Sequence, residues 1–132
     1  MWQFNQVVGF GVTLRMRGSI WLLILSISAF AHAADSTSLE GRKIAYLIAS
    51  VETLQNARFV RNGTAYNAKA AADHLRLKLR MAGSRVATAD DFIRLCASAS
   101  SVSGIPYHIR FADGRVVTSE VYLRQKLAEF EP

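Results

Sequence analysis

Apolar residues recur at intervals of three and four through Ile44, Leu47, Ile48, Val51 and Leu54, the spacing of one face of an α-helix. Ser38 stands where an N-cap is wanted, so the pattern predicts a helix that begins after it and ends near Asn56. The period then changes. In RFVRNGTAYN, Phe59, Val60 and Tyr66 are β-prone and flank Asn62-Gly63, the dipeptide of a two-residue hairpin turn, whose central residues both take positive φ. Asn67 caps a second helical stripe of Ala68, Ala71, Ala72, Leu75, Leu79 and Ala82, and Gly83 is its stop. Thr88 caps a third helix, with Asp90 and Asp91 in the first turn, where the helix dipole favours negative charge. Its apolar face is Phe92, Ile93, Cys96 and Ala97, after which it dissolves into serines. YHIRFADGRVVT reads as a second hairpin turning at Asp113-Gly114, with Tyr107, Ile109 and Phe111 on one face and His108 on the solvent side. Ser119 caps a last helix with the stripe Leu123, Leu127 and Phe130.

These elements make a small single α+β domain of about four helices and two short β-hairpins, in the order helix-hairpin-helix-helix-hairpin-helix. A short internal echo runs through it. RFVRNG leads through an Asn cap to HLRLKL, and RFADG leads through a Ser cap to YLRQKL, with gaps that differ by three residues. Both duplication and the shared chemistry of hairpin-then-helix account for it.

The N-terminal part follows another logic. Arg15 and Arg17 precede the apolar run Ile20 to Phe30, and Ala31-His32-Ala33 follows, the three parts of a cleavable secretory signal peptide. The run is too short for a membrane helix, which takes roughly 20 apolar residues. Residues 1–33 are therefore expected to be a signal peptide, with translation expected to start at Met16, and 34–132 the folded domain, with no permanent membrane span after cleavage. The arginines are not a twin pair, and Cys96, the lone cysteine, is far from the cleavage point, so general secretion without lipid modification is expected.

Charge adds little discrimination. The chain carries 16 Lys and Arg against 10 Asp and Glu, a net charge of +6, and losing Arg15 and Arg17 leaves a mildly basic domain whose charges are spread out. This fits an anionic envelope component or an acidic protein as partner. Nucleic acid is not expected as a partner, because the protein is read as exported and no aromatic residues interleave with the charges. A single cysteine in an oxidising compartment has no internal partner. Cys96 reads as a small buried hydrophobe, with a bridge between two chains as the alternative.

Catalytic and metal signatures are sparse. His74 and His108 have no His or Cys at ligand spacing, whereas zinc needs three or four protein ligands, and there is no Gly-rich phosphate loop. No metal and no cofactor are expected. Ser98, Ser100, Ser101 and Ser103 precede Gly104, and Pro106 forces Ile105 out of helical geometry. This is the composition of a helix exit, because serine hydroxyls compete for backbone hydrogen bonds; an anion cradle of hydroxyls and turn N–H groups is the functional alternative. No G-x-S-x-G elbow and no S-x-x-K surrounds a serine, so no complete catalytic constellation is present and the protein is not expected to be an enzyme. On the second helix, Lys69, Asp73, Arg76 and Arg80 fall on one exposed stripe, and His74 and Lys78 make a flanking row. Such a face is either solvated or a docking surface.

FVRNG, HLRLKL, DDFI and SASSVSGIPY, in this order and spacing, resemble the YfeK-like family of small exported bacterial proteins, over about Ile44 to Leu127. The resemblance implies a bacterial, periplasmic protein of unknown function, and it supplies no catalytic residue or ligand. Where the family pattern often has lysine in the loop, this chain has Ile105, so no role resting on a cation there carries over.

The expected function is that of a non-enzymatic binding module of the cell envelope. Its candidate surface is Arg61 and Asn62 of the first turn, His74, Arg76 and Lys78 of the second helix, and Ser98, Ser100, Ser101, Ser103, Gly104 and Tyr107 of the loop. The alternatives are a small hydrolase or transferase using one of these serines with His74 or His108, and a structural protein self-associating through Cys96.

Overall fold

Each helix starts at the residue whose side chain caps it. In the computed structural model, which describes residues 37–132, Ser38 Oγ accepts from the Gly41 N–H at 3.0 Å and opens α1 (Leu39–Glu52). Asn67 Oδ1 accepts from the Ala70 N–H at 2.8 Å and opens α2 (Ala68–Ala82). Thr88 and Asp91 form a reciprocal capping box at α3 (Ala89–Phe92), which widens into a π turn over Ile93–Ala97. The expected signal peptide and the start at Met16 lie outside the described residues.

Two expected boundaries move. α1 stops at Glu52, short of Asn56: the Thr53 N–H already closes onto Ala49 O, and Asn56 sits at φ 54°, a conformation that cannot continue a right-handed helix. α4 (Ser119–Ala128) is capped by Thr118, not Ser119. Strand pairing holds Thr118 extended, and its hydroxyl accepts from the Val121 N–H at 3.3 Å. Ser119 becomes the first helical residue and is buried.

Both hairpins form. Asn62 at φ 48° and Gly63 at φ 79° make the tight turn between β1 (Arg58–Arg61) and β2 (Thr64–Tyr66), where a β-branched residue at either position would be strained. β3 (His108–Arg110) and β4 (Val116–Thr118) form the second. β1 and β3 then pair antiparallel, with Phe59 opposite Ile109, so the hairpins share one four-stranded sheet in the order β2-β1-β3-β4.

That register aligns Tyr66, Phe59, Ile109 and Val117 in one apolar row across the sheet. The row packs with α1, α2, the π turn and α4 into one core that includes Leu47, Val51, Phe92, Ile93 and Leu123. Arg58, Arg110 and Val116, on the other face, are exposed, so the helices cover one side only. Cys96 is in the core, 1% exposed, and burial pushes its thiol pKa up. It is the small buried hydrophobe expected, and a bridge between folded chains through Cys96 is blocked by the packing around it.

Candidate functional site

A two-residue turn pairs Arg61 with Thr64 and Phe59 with Tyr66, and strand alternation puts Phe59, Arg61 and Tyr66 on the helix-facing side of the sheet. On α2, His74 and Lys78 are one turn apart and therefore share a face. Tyr107 enters from the segment that leads into β3 and is itself tied down, its carbonyl accepting from the Ser119 N–H at 2.9 Å. The three elements bring these side chains into one cluster.

Arg61 Nη1 stands 3.0 Å from both ring nitrogens of His74, and its guanidinium carbon lies 5.4 Å from the Tyr66 ring centroid. His74 Nε2 is 3.4 Å from the Tyr107 hydroxyl. Lys78 Nζ donates to the Ala99 carbonyl at 2.9 Å and to the Tyr107 hydroxyl at 3.3 Å, and lies 5.1 Å from the Tyr107 ring centroid.

One protonation state satisfies these contacts. Arginine only donates, so His74 must offer a lone pair and be neutral. The nitrogen that accepts from Arg61 follows the tautomer: with the proton on Nε2 it is Nδ1, and Nε2–H faces the Tyr107 oxygen; with the proton on Nδ1 it is Nε2, which then also faces the Tyr107 O–H. The surroundings favour the neutral ring: burial holds the His74 pKa below its ordinary value, and the charges of Arg61 and Lys78 push the same way. Burial also lowers the Lys78 pKa, with the Arg61 charge acting in the same direction, and burial raises that of Tyr107, which stays a phenol. The Tyr107 oxygen accepts from Lys78 and lies 3.4 Å from His74 Nε2, which donates to the oxygen in one tautomer and accepts the phenol proton in the other.

Among the described residues neither Arg61 nor Lys78 has a carboxylate partner. Nine ion pairs join other residues of the described chain, and none includes Arg61 or Lys78. Other arginines without one, such as Arg80 and Arg110, are exposed; Arg61 and Lys78 are half-buried, where an uncompensated charge is costly.

Behind the cluster lies a cavity of ≈ 170 Å³ lined by Arg61, His74 and Tyr107 on its polar side. Val51, Phe59, Tyr66, Ala71 and Leu75 line its apolar side. Ser119 also lines it; this residue is 5% exposed, and its hydroxyl makes no hydrogen bond among the described residues.

The serine run is spent largely on the loop itself. Ser98 Oγ donates to the Ile93 carbonyl at 2.8 Å, closing the widened turn. Ser100 is buried, and its hydroxyl accepts from the N–H groups of Val102 and Ser103 at 3.4 and 3.3 Å. Ser103 Oγ donates to Asn62 Oδ1 at 2.8 Å, tying the loop to the first hairpin turn, while Gly104 takes φ 69° and its N–H reaches Ser100 O at 2.9 Å. Ser101 is exposed. None of these hydroxyls is hydrogen-bonded to a histidine, so the Ser–His pair required by the hydrolase expectation does not occur among the described residues.

The structure therefore joins Arg61, His74, Lys78 and Tyr107, with Asn62 and Ser103 beside them at the rim. It sends Arg76 elsewhere. That side chain pairs with Glu52 of α1 and, at 3.0 Å, with Asp73, clamping α2 to α1. Tyr66 and Ser119 were not among the sequence candidates. Tyr66 was legible: the turn register makes it the diagonal cross-strand neighbour of Arg61. Ser119 was not, because Thr118 and Ser119 are both good caps and only strand pairing chooses between them.

No helix among the described residues is long and apolar enough to cross a membrane. A family of unknown function, DUF5329, matches residues 38–131. The uncharacterized protein YfeK of Salmonella typhimurium is 38% identical over 85 residues, which are 64% of this chain and 68% of that protein. No solved structure matches.

Proposed function

From a chain that belongs to the DUF5329, YfeK-like family of unknown function, we propose a non-enzymatic binding module of the bacterial cell envelope, exported to the periplasm, that holds an anionic group against Arg61 and Tyr107. One observation carries this reading. Two half-buried cations, Arg61 against His74 and Lys78 against Tyr107, have no carboxylate partner among the described residues, beside a cavity open to ligand. A bound anion supplies the missing charge. Arg61 is already positioned by His74 and Tyr66, so little side-chain freedom is lost on binding, and its remaining N–H groups present the planar fork that suits a carboxylate or phosphate.

Lys78 acts from behind, donating to Tyr107, and with the His74 proton on Nε2 the phenol proton is left for the ligand. The partner is an anionic envelope component or the acidic group of a protein. Export rests on Arg15, Arg17, the apolar run to Phe30 and Ala31-His32-Ala33; periplasmic protein should begin at Ala34, and recovery of an uncleaved cytoplasmic chain would refute it.

The binding test is thermal unfolding against cell-wall fragments, anionic lipids and lipopolysaccharide. A ligand at about 100 times its Kd adds roughly 2.7 kcal/mol of stability, an upward shift on the order of 10 °C for a domain of this size. The shift should vanish in Arg61→Ala, shrink in Lys78→Met and persist in Arg76→Ala. Equal shifts in all three variants would place the anion elsewhere.

A further inference from the structure

We infer that the ligand is a small amphiphilic acid: a carboxylate or phosphate head held by Arg61 and Tyr107, joined to an apolar body about the size of one six-membered ring, seated between α2 and the first hairpin. This rests on the anion-binding reading above and adds the part of the ligand that reading leaves open.

The cavity dictates the body. Its volume is ≈ 170 Å³, and an apolar cavity of about 150 Å³ takes up a benzene molecule. Its far wall is Val51, Phe59 and Leu75, all buried core residues, and it is flanked by the Tyr66 ring and the small side chain of Ala71. Such a wall rewards carbon and offers nothing to a sugar hydroxyl or a second charge.

The head position follows from where the polar groups stand. Arg61, His74 and Tyr107 are gathered on one side of the cavity, and the guanidinium bridges the Tyr66 ring and the His74 ring. A free acid without an apolar body would leave the cavity unfilled, and a neutral arene would leave the Arg61 charge unmatched. Ser119, whose hydroxyl makes no hydrogen bond among the described residues and which lines the cavity, provides one polar contact for a substituent on the body.

The test titrates the purified protein with acetate, benzoate, cyclohexanecarboxylate, phenyl phosphate and benzyl alcohol, reading Kd by calorimetry or by the NMR shifts of His74. The ring-bearing acids should bind at least tenfold more tightly than acetate, since burying each further carbon strengthens binding by a factor of several. Benzyl alcohol should bind at least tenfold more weakly than benzoate. Comparing benzoate with phenyl phosphate separates the two heads, and tight binding of either supports the inference.

Filling the cavity with Ala71→Leu should abolish the advantage of the ring while leaving acetate unchanged. Ala70→Leu, at an exposed position that also borders the cavity, serves the same purpose should the first variant fold poorly. If acetate matches the ring acids and neither filling variant matters, the amphiphile is wrong and anion binding stands. Benzyl alcohol binding as tightly as benzoate also overturns the inference. If no anion binds and Arg61→Ala changes nothing, the underlying reading fails and takes this one with it.

Discussion

His74 has a neutral ring held against Arg61 and near the charge of Lys78, and that arrangement has a measurable pH signature. Its pKa in the folded protein lies below the ordinary 6.5, first because burial disfavours the imidazolium and then because Arg61 and Lys78 repel it. The unfolded chain therefore takes up the proton first as pH falls. The contribution of His74 is fully present above pH 6.5 and is lost as pH falls through the lower folded-state value. Urea unfolding of the wild type should show stability falling between about pH 7 and pH 5 more steeply than in His74→Gln, which keeps an acceptor but cannot titrate. Parallel profiles would show that the ring is not held beside these charges. None of this was visible along the chain, where His74 was one of a row of polar residues on a helix: its partners Arg61 and Tyr107 lie 13 and 33 positions away.

Among the elements, α3 is the one most dependent on its cap. It has four residues before the π turn, far too few for a helix to persist by itself. Its first turn is held from two directions. Thr88 and Asp91 close the capping box, and Glu40 of α1 reaches across to accept from the Ala89 N–H at 2.8 Å. Thr88→Ala should lower stability by about 1 kcal/mol, measured by chemical denaturation, while Thr88→Ser should be nearly silent. An equal loss in both would point to the methyl group of Thr88 and away from its hydroxyl. The cap itself could be read from TADD, a hydroxyl followed three positions later by a carboxylate. The reach of Glu40 could not, for it spans 49 positions. Nor could the π turn: Phe92, Ile93, Cys96 and Ala97 read as an ordinary helical face, and the structure buries all four on a segment whose last five residues are widened.

At the scale of the molecule, the pairing of β1 with β3 unites the two halves. Each half is helix, hairpin, helix, and in the order β2-β1-β3-β4 the two hairpins lie as matching halves of the sheet on either side of the antiparallel β1–β3 pair. Tyr66 and Val117 occupy matching ends of the apolar row, and each is followed at once by the helix cap, Asn67 or Thr118. The sequence echo between HLRLKL and YLRQKL is three residues out of step with this correspondence, so the symmetry is one of elements. Because Phe59 and Ile109 are both buried and directly opposed, neither half can open without exposing the core of the other. Far-UV circular dichroism and near-UV tyrosine signals should therefore unfold in one coincident transition. Separate midpoints would mean that the hairpins are independent units.

Local physics explains what could be read directly. Positive φ at Asn62 and Gly63, the caps Ser38, Asn67 and Thr88, and the stripes of α1 and α2 depend on residues a few positions apart. The α+β class and the order of the elements were therefore determined by the sequence alone. Hydrophobic periodicity tells which side of an element is buried and is silent about what lies opposite. Arg61, Arg76 and Lys78 were thus equivalent as sequence, each a cation near a helix or strand face. Tertiary structure separated them: Arg76 met Glu52 and became a clamp, whereas Arg61 was brought to His74 and Lys78 to Tyr107, neither paired with an acid among the described residues. The choice belongs to the fold because a charge is neutralised by whatever lies within a few ångströms of it, and only the packing of α2 against the shared sheet sets that neighbourhood.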